Sequence, residues 1–315
     1  MELSPRLRFK LDRFKQQLNE LFGGGPKENP RPRLCPSCGT LVGATATKCA
    51  SCGANVNFGI AAASQGLRRL LPAESPVTYC ILGISCIFYA ITFAVTVRYS
   101  GFQTPGGGFS GIMGLGGVNP GVLQVFGASV PWPGDLQFFP WRVIMPTLLH
   151  GGLLHIGFNM WVLMDVGPQI EELYGSARYL FIYFLTGIGA YMVSGFFGGH
   201  LSIGASGALL GLIGVMLAIT TRREGEHIRM LRNQLLKWVA YIAVMGLLMS
   251  GIDNWAHGGG LVTGFIVGKI MVDRRPMSPA EDRIANLLGW GTGLVVLGCI
   301  AFTALVAYVA IRHAG

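Results

Sequence analysis

From residue 77 onward the chain consists mostly of long apolar stretches separated by short polar ones. Seven blocks approach or reach the roughly 17–25 residues needed to cross the hydrocarbon core of a bilayer. They lie near 77–97, 147–166, 177–196, 204–221, 235–251, 253–272 and 286–311. The stretch at 98–146 is long and rich in Gly, Pro and aromatics, and Phe138, Phe139 and Trp141 suit a loop lying partly in the membrane interface. Before the first block the pattern changes. Residues 4–22 place Leu7, Leu11, Phe14, Leu18 and Leu21 on one helical stripe, interleaved with Arg6, Lys10, Arg13 and Lys15. Two readings stay open for this stripe: a helix on an anionic membrane surface, or a solvated helix packed on the next module.

The divisions expected are a basic segment and linker at 1–33, a cysteine module at 34–58, a second linker at 59–76, and a membrane domain at 77–315. Met1 to Phe22 is charged throughout and lacks an apolar core, so no secretory signal is expected there.

Charge sharpens the picture. Charged residues are 12% of the chain and apolar residues 51%, about half the charge of a typical soluble protein. The net charge of +9 would suggest nucleic acid in a soluble chain, but here much of it sits where membrane proteins keep cytoplasmic positive charge. Nucleic acid is therefore not an expected partner. Arg222, Arg223, Arg229, Arg232 and Lys237 follow the fourth block, and Arg274, Arg275 and Arg283 follow the sixth. The intervening stretches at 197–203 and 251–253 carry no Lys or Arg. The positive-inside rule then puts the N-terminus and the basic loops in the cytoplasm.

Candidate chemistry comes from polar residues inside the blocks. Ser206 stands at the outer start of the fourth, within Gly204-Ala205-Ser206-Gly207, and His257 about one turn into the sixth, which enters from the same side. At roughly 1.5 Å rise per residue, the two side chains lie at similar depth. Gly207 and Gly211 on one helix, and Gly260, Gly264 and Gly268 on the other, form small-xxx-small ridges that let backbones approach closely in lipid. A histidine in reach of a serine hydroxyl is the pairing that makes serine a nucleophile. His155 and Asn159 are four apart on the second block, with His150 at its outer end. With the backbone N–H of Ser206 they are candidate donors to an oxyanion. Taken singly, a GxSG is more often a packing motif and an Asn a helix–helix hydrogen bond. The conjunction carries the inference. There is no HExxH for zinc chemistry and no pair of mid-span aspartates.

At this point residues 77–311 resemble a rhomboid intramembrane protease. The matching pieces are Trp141-Arg142, His150-x4-His155-x3-Asn159, Glu172-x2-Gly175, Gly204-Ala205-Ser206-Gly207, and Ala256-His257-x2-Gly260-x3-Gly264. The resemblance implies a six-helix bundle with one added C-terminal helix, a Ser206–His257 dyad with no essential third acid, and His155 and Asn159 at the oxyanion hole. Gly204 and His150 join them as positioning residues. It also implies a first loop inserted sideways into the membrane, and single-span membrane proteins as substrates of a serine endopeptidase. A bacterial inner membrane is the expected home. Two departures stand out. Some relatives stack an aromatic on the histidine four residues after the serine, where this chain has Leu210. Asp253, one turn before His257, could orient it, but the family pattern argues for a cap or loop role. Inactive relatives acting as binders usually lose the serine or histidine, and this chain keeps both. A transporter would need charges along a path, and Asp165 and Lys269 fall near the cytoplasmic ends.

Cys35-x2-Cys38-x10-Cys49-x2-Cys52 is a pair of CxxC knuckles with the spacing of a zinc ribbon. Four thiolates around tetrahedral zinc leave no open position, so the metal is expected to be structural, with no cofactor for catalysis; such a ribbon most often binds a partner, whether protein, peptide or nucleic acid. In all, the expectation is an all-α polytopic membrane protein carrying a small N-terminal zinc ribbon.

Overall fold

The computed structural model describes residues 33–34, 40–43, 49–51, 75–100, 116–131, 140–249, 251–271 and 278–314. The chain divides into two compact units, Met1–Leu70 and Leu71–Gly315. In the first, β1 (Arg33–Leu34) pairs antiparallel with β2 (Leu41–Val42), with Arg33 opposite Val42 and Leu34 opposite Leu41. Cys35 and Cys38 fall between these strands in sequence, and Cys49 is buried. Cys35, Cys38 and Cys52 themselves lie outside the described residues, as do the stripe at 4–22 and both linkers.

The second unit is helical. Its elements are α1 (Pro76–Ser100), α2 (Pro120–Val125), α3 (Leu153–Tyr174), α4 (Ser176–Phe197), α5 (Ser206–Thr220), α6 (Glu226–Leu248), α7 (Asn254–Ile270) and α8 (Pro279–Ala314). Two short 3-10 helices, Pro140–Val143 and Met145–Leu148, lead into α3. Of these elements α1, α4 and α8 are long and apolar enough to cross a membrane, and α5 is a shorter apolar helix. Around the outside, large apolar side chains face outward: Leu247 and Leu248 on α6, Ile266 and Ile270 on α7, Leu287, Leu294 and Leu305 on α8. Patches of this extent are avoided on proteins in water and are what lipid solvates.

α5 is the hub. Thirteen of its residues are buried, leaving almost no lipid face. α7 lies directly on it: a Cβ at Gly260 or Gly264 would overlap the carbonyl oxygens of Gly207 and Gly211, and one at Gly268 would meet Val215. α7 also contacts α4, where Gly189 faces Thr263 and Gly259 faces Val193. By contrast α6 buries only Leu235.

Three sequence expectations need correction. The second block, expected at 147–166, differs in the structure: Met145–Leu148 form a 3-10 turn and the helix runs from Leu153 to Tyr174. Gly152, extended at φ −178°, breaks the backbone between them. The fifth, placed at 235–251, starts nine residues earlier at Glu226, because helix formers such as Arg229, Leu231 and Gln234 extend it beyond the apolar window. The third concerns the motif glutamate. Glu172 is exposed, whereas its neighbour Glu171 is 2% exposed. Glu171 accepts from the N–H groups of Val77 (3.0 Å) and Thr78 (2.8 Å), and from the hydroxyls of Thr78 (2.8 Å) and Ser176 (2.6 Å). It thereby supplies the start of α1 with the acceptors a helix N-terminus lacks.

The stretch expected as an interfacial loop is partly structured: α2 buries Leu123, and Trp141 is buried, with its ring edge-on to Phe302 of α8 at 5.4 Å. Arg142 donates to Ala128 O at 2.7 Å and stacks on Trp141. Phe138 and Phe139 lie outside the described residues.

Candidate active site

Ser206 is the first residue of α5, and the two residues before it make a tight turn. Gly204 sits at φ +120°, where a side chain is strained. Three contacts hold this turn. The Gly204 N–H donates to Pro146 O (2.9 Å), Tyr191 Oη donates to Gly204 O (2.5 Å), and Ser129 and Ser202 exchange backbone hydrogen bonds at 3.0 Å. Tyr191 is fully buried on α4, and nothing in the sequence pattern singled it out.

His257 Nε2 lies 2.8 Å from Ser206 Oγ. The glycine contacts between α5 and α7 make this possible, since a short serine side chain spans no wider gap. His257 Nδ1 is buried and has no partner among the described residues. Asp253 does not serve it: Oδ1 accepts from the Ala256 N–H (2.9 Å), Oδ2 accepts from Ser194 Oγ, and the residue is the N-cap of α7. Both oxygens are spent on holding the helix that carries His257. Leu210 is buried, one turn below the serine.

His155 and Asn159 project from the first turns of α3 toward the same turn. A Cβ on Gly204 would lie 2.6 Å from His155 Nε2 and 3.7 Å from Asn159 Nδ2. His155 Nδ1 accepts from the Gly151 N–H at 3.3 Å, which leaves Nε2 as the protonated nitrogen of a neutral ring and aims a donor at the turn. Asn159 Nδ2 gives one hydrogen to His155 O (2.9 Å) and keeps the other. His150 is fully buried, edge-on to His155 at 5.3 Å, so it stands behind that ring. The N–H of Ser206, at the helix start, has no intrahelical acceptor and completes a ring of donors beside the nucleophile. Among the described residues no group of His, Cys, Asp and Glu could hold a metal ion.

A helical bundle clad in apolar side chains, with a serine and a histidine from neighbouring helices in hydrogen-bond contact, defines an integral membrane protein. The rhomboid domain profile matches residues 137–274, which hold Ser206, His257, His155 and Asn159. Rhomboid protease GluP of Bacillus subtilis (strain 168) is 35% identical over 153 residues, covering 48% of this chain and 29% of GluP. Rhomboid-like protease 1 of Toxoplasma gondii is 35% identical over 159 residues, 47% of this chain and 53% of the relative. YdcA of Bacillus subtilis (strain 168) is 34% identical over 143 residues, 43% of this chain and 69% of YdcA. The chain belongs to the rhomboid family. It spans from under a third to about half of the length of the first two relatives.

Proposed function

We propose that this chain is a serine endopeptidase that cleaves single-span membrane proteins in or near their transmembrane helices. The observation that carries the reading is the 2.8 Å contact between His257 Nε2 and Ser206 Oγ inside a membrane bundle. Membership of the rhomboid family, with relatives named as proteases, supports it.

In this mechanism His257 takes the Ser206 hydroxyl proton as the oxygen attacks the scissile carbonyl carbon. The tetrahedral oxyanion is held by the Ser206 N–H, His155 Nε2–H and the free Asn159 amide hydrogen. His257 then gives its proton to the leaving amine, and an acyl-enzyme on Ser206 remains. Water, deprotonated by the same imidazole, attacks the ester and restores the serine. Asp253 acts as a helix cap, so the pair works as a dyad.

The Lys/Arg-rich stretches after α5 and α7 support, by the positive-inside rule, an extracytoplasmic Ser206 end and a cytoplasmic N-terminus for a seven-span protein of a bacterial inner membrane. Structural zinc held by Cys35, Cys38, Cys49 and Cys52 would close the N-terminal ribbon, which recruits a protein partner. A serine-reactive fluorophosphonate tests the core of the reading. It should label wild type at Ser206 and fail on Ser206→Ala and His257→Ala, with cleavage of a model single-span substrate lost in parallel. Wild-type cleavage by folded Ser206→Ala would remove the dyad from the mechanism.

A further inference from the structure

A groove at the Ser206 end of the bundle takes no part in the chemistry above. It is a cavity of about 150 Å³ between α1, α2 and α8, lined by Val95, Tyr99, Val122, Val125, Phe126 and Ile311, with no charged residue in its wall among the described residues. Connectivity places it at the level of the active site. α1 begins against Glu171 at the far end of α3 and so finishes at the Ser206 end. α8 begins after the far end of α7, passes Ala177 near the start of α4 at Gly289, and meets Trp141 at Phe302 before its last turns reach the groove.

The rim is basic. Arg98 immediately precedes the lining residue Tyr99, and Arg312 immediately follows the lining residue Ile311. Both side chains are exposed. Arg98 lies over the Tyr99 ring at 5.8 Å and Arg312 reaches only the Tyr308 hydroxyl at 3.4 Å, and no carboxylate is paired with either among the described residues. Cations here run against the distribution of the rest of the chain, whose short loops at this end, 197–203 and 251–253, carry no Lys or Arg. An apolar slot beside two arginines that no carboxylate among the described residues neutralises matches one amphiphile: an acyl chain ending in a phosphate. Guanidinium groups bind phosphate through paired N–H donors.

We propose that this groove binds an anionic phospholipid, one acyl chain in the slot and its phosphate between Arg98 and Arg312. The site is wired to the active-site turn. Val122, Val125 and Phe126 lead through Gly127 and Ala128 to Ser129, whose backbone pairs with Ser202, two residues before Gly204. Filling the slot therefore braces the segment that positions Ser206.

The test uses the full chain in phosphatidylcholine vesicles, with a trace of phosphatidylglycerol carrying a photoreactive acyl chain. Crosslinks should concentrate on peptides holding Val122–Phe126 and Ile311. Unlabelled phosphatidylglycerol should compete for them and unlabelled phosphatidylcholine should not. Arg98→Gln and Arg312→Gln, both at exposed positions, should each weaken labelling roughly fivefold. Val125→Trp should block it with both arginines present. Equal competition by the zwitterionic lipid, or crosslinks spread evenly over α4, α6 and α8, would overturn the proposal. So would a Val125→Trp variant that changes from dimer to monomer with lipid labelling unchanged, since a second copy would then be the occupant. Photolabelling reads the site independently of proteolysis. The coupling is read separately, as faster fluorophosphonate labelling of Ser206 when phosphatidylglycerol is present in wild type but not in the double arginine variant.

Discussion

His257 and Asp253 are one helical turn apart, a spacing that fits either a catalytic acid or a helix cap, and the contacts separate the two. Asp253 spends Oδ1 on Ala256 N–H and Oδ2 on Ser194, while His257 Nδ1 stays without a partner among the described residues. Asn caps helices about as well as Asp. Asp253→Asn should therefore keep cleavage within a few-fold of wild type, with a small fall in thermal stability. An orienting acid would show a loss near 10⁴ in kcat on the same change, so steady-state kinetics decide between them. The donors make a second residue-level test. Asn159→Ala and His155→Ala should each lower kcat by about 10²–10³ and leave KM nearly unchanged, as expected for a bond that strengthens at the oxyanion. A variant with normal turnover would remove that side chain from the oxyanion site. Glu171 and Glu172 form a built-in comparison. Glu171→Ala strands two N–H groups and two hydroxyls and should lower stability by about 3 kcal/mol or more. Glu172→Ala, on an exposed face, should fall within about 0.5 kcal/mol of wild type in detergent unfolding.

At the scale of elements, the α5–α7 contact decides whether a site exists. Gly260 and Gly264 face carbonyl oxygens with no space for a methyl group, so alanine there must push the helices apart. Overpacking of this kind costs about 1–3 kcal/mol, and the shift also lengthens the Ser206–His257 contact. Gly264→Ala should then lose both stability and fluorophosphonate labelling. Gly298 on α8 has nothing within 4 Å of its would-be Cβ. Gly298→Ala should be neutral or stabilising by up to about 1 kcal/mol. Equal behaviour of the two variants would contradict the packing argument.

For the molecule as a whole, the N-terminal unit and the chemistry should be separable. A closed four-thiolate site has no free position with which to activate water. Deleting residues 1–58 should leave near-normal turnover of a truncated substrate in detergent and reduce cleavage only where recruitment matters. Complete loss of turnover in a folded, inserted protein would refute this division. Orientation is open to accessibility labelling: after the native cysteines are replaced, an impermeant thiol reagent added outside should reach a cysteine at position 202 and not one at 225.

The sequence alone determined the apolar blocks, the asymmetry of charge between the stretches that join them, the identities of Ser206, His257, His155 and Asn159, and the spacing of the four cysteines. Each is a local matter: residue solvation, or periodicity within one helix, is written in neighbouring letters. The tertiary structure decided which glutamate of an adjacent pair is buried, because Glu171 meets Thr78 across 93 residues of chain. It decided that Asp253 caps and does not orient, because Ser194 on α4 takes its second oxygen. It recruited Tyr191 and Pro146 to hold the Gly204 turn, and it set the ends of α3 and α6, where hydropathy and helix boundaries part company. These depend on which helices become neighbours. Hydrogen bonds between residues far apart in sequence leave no periodic trace in either segment.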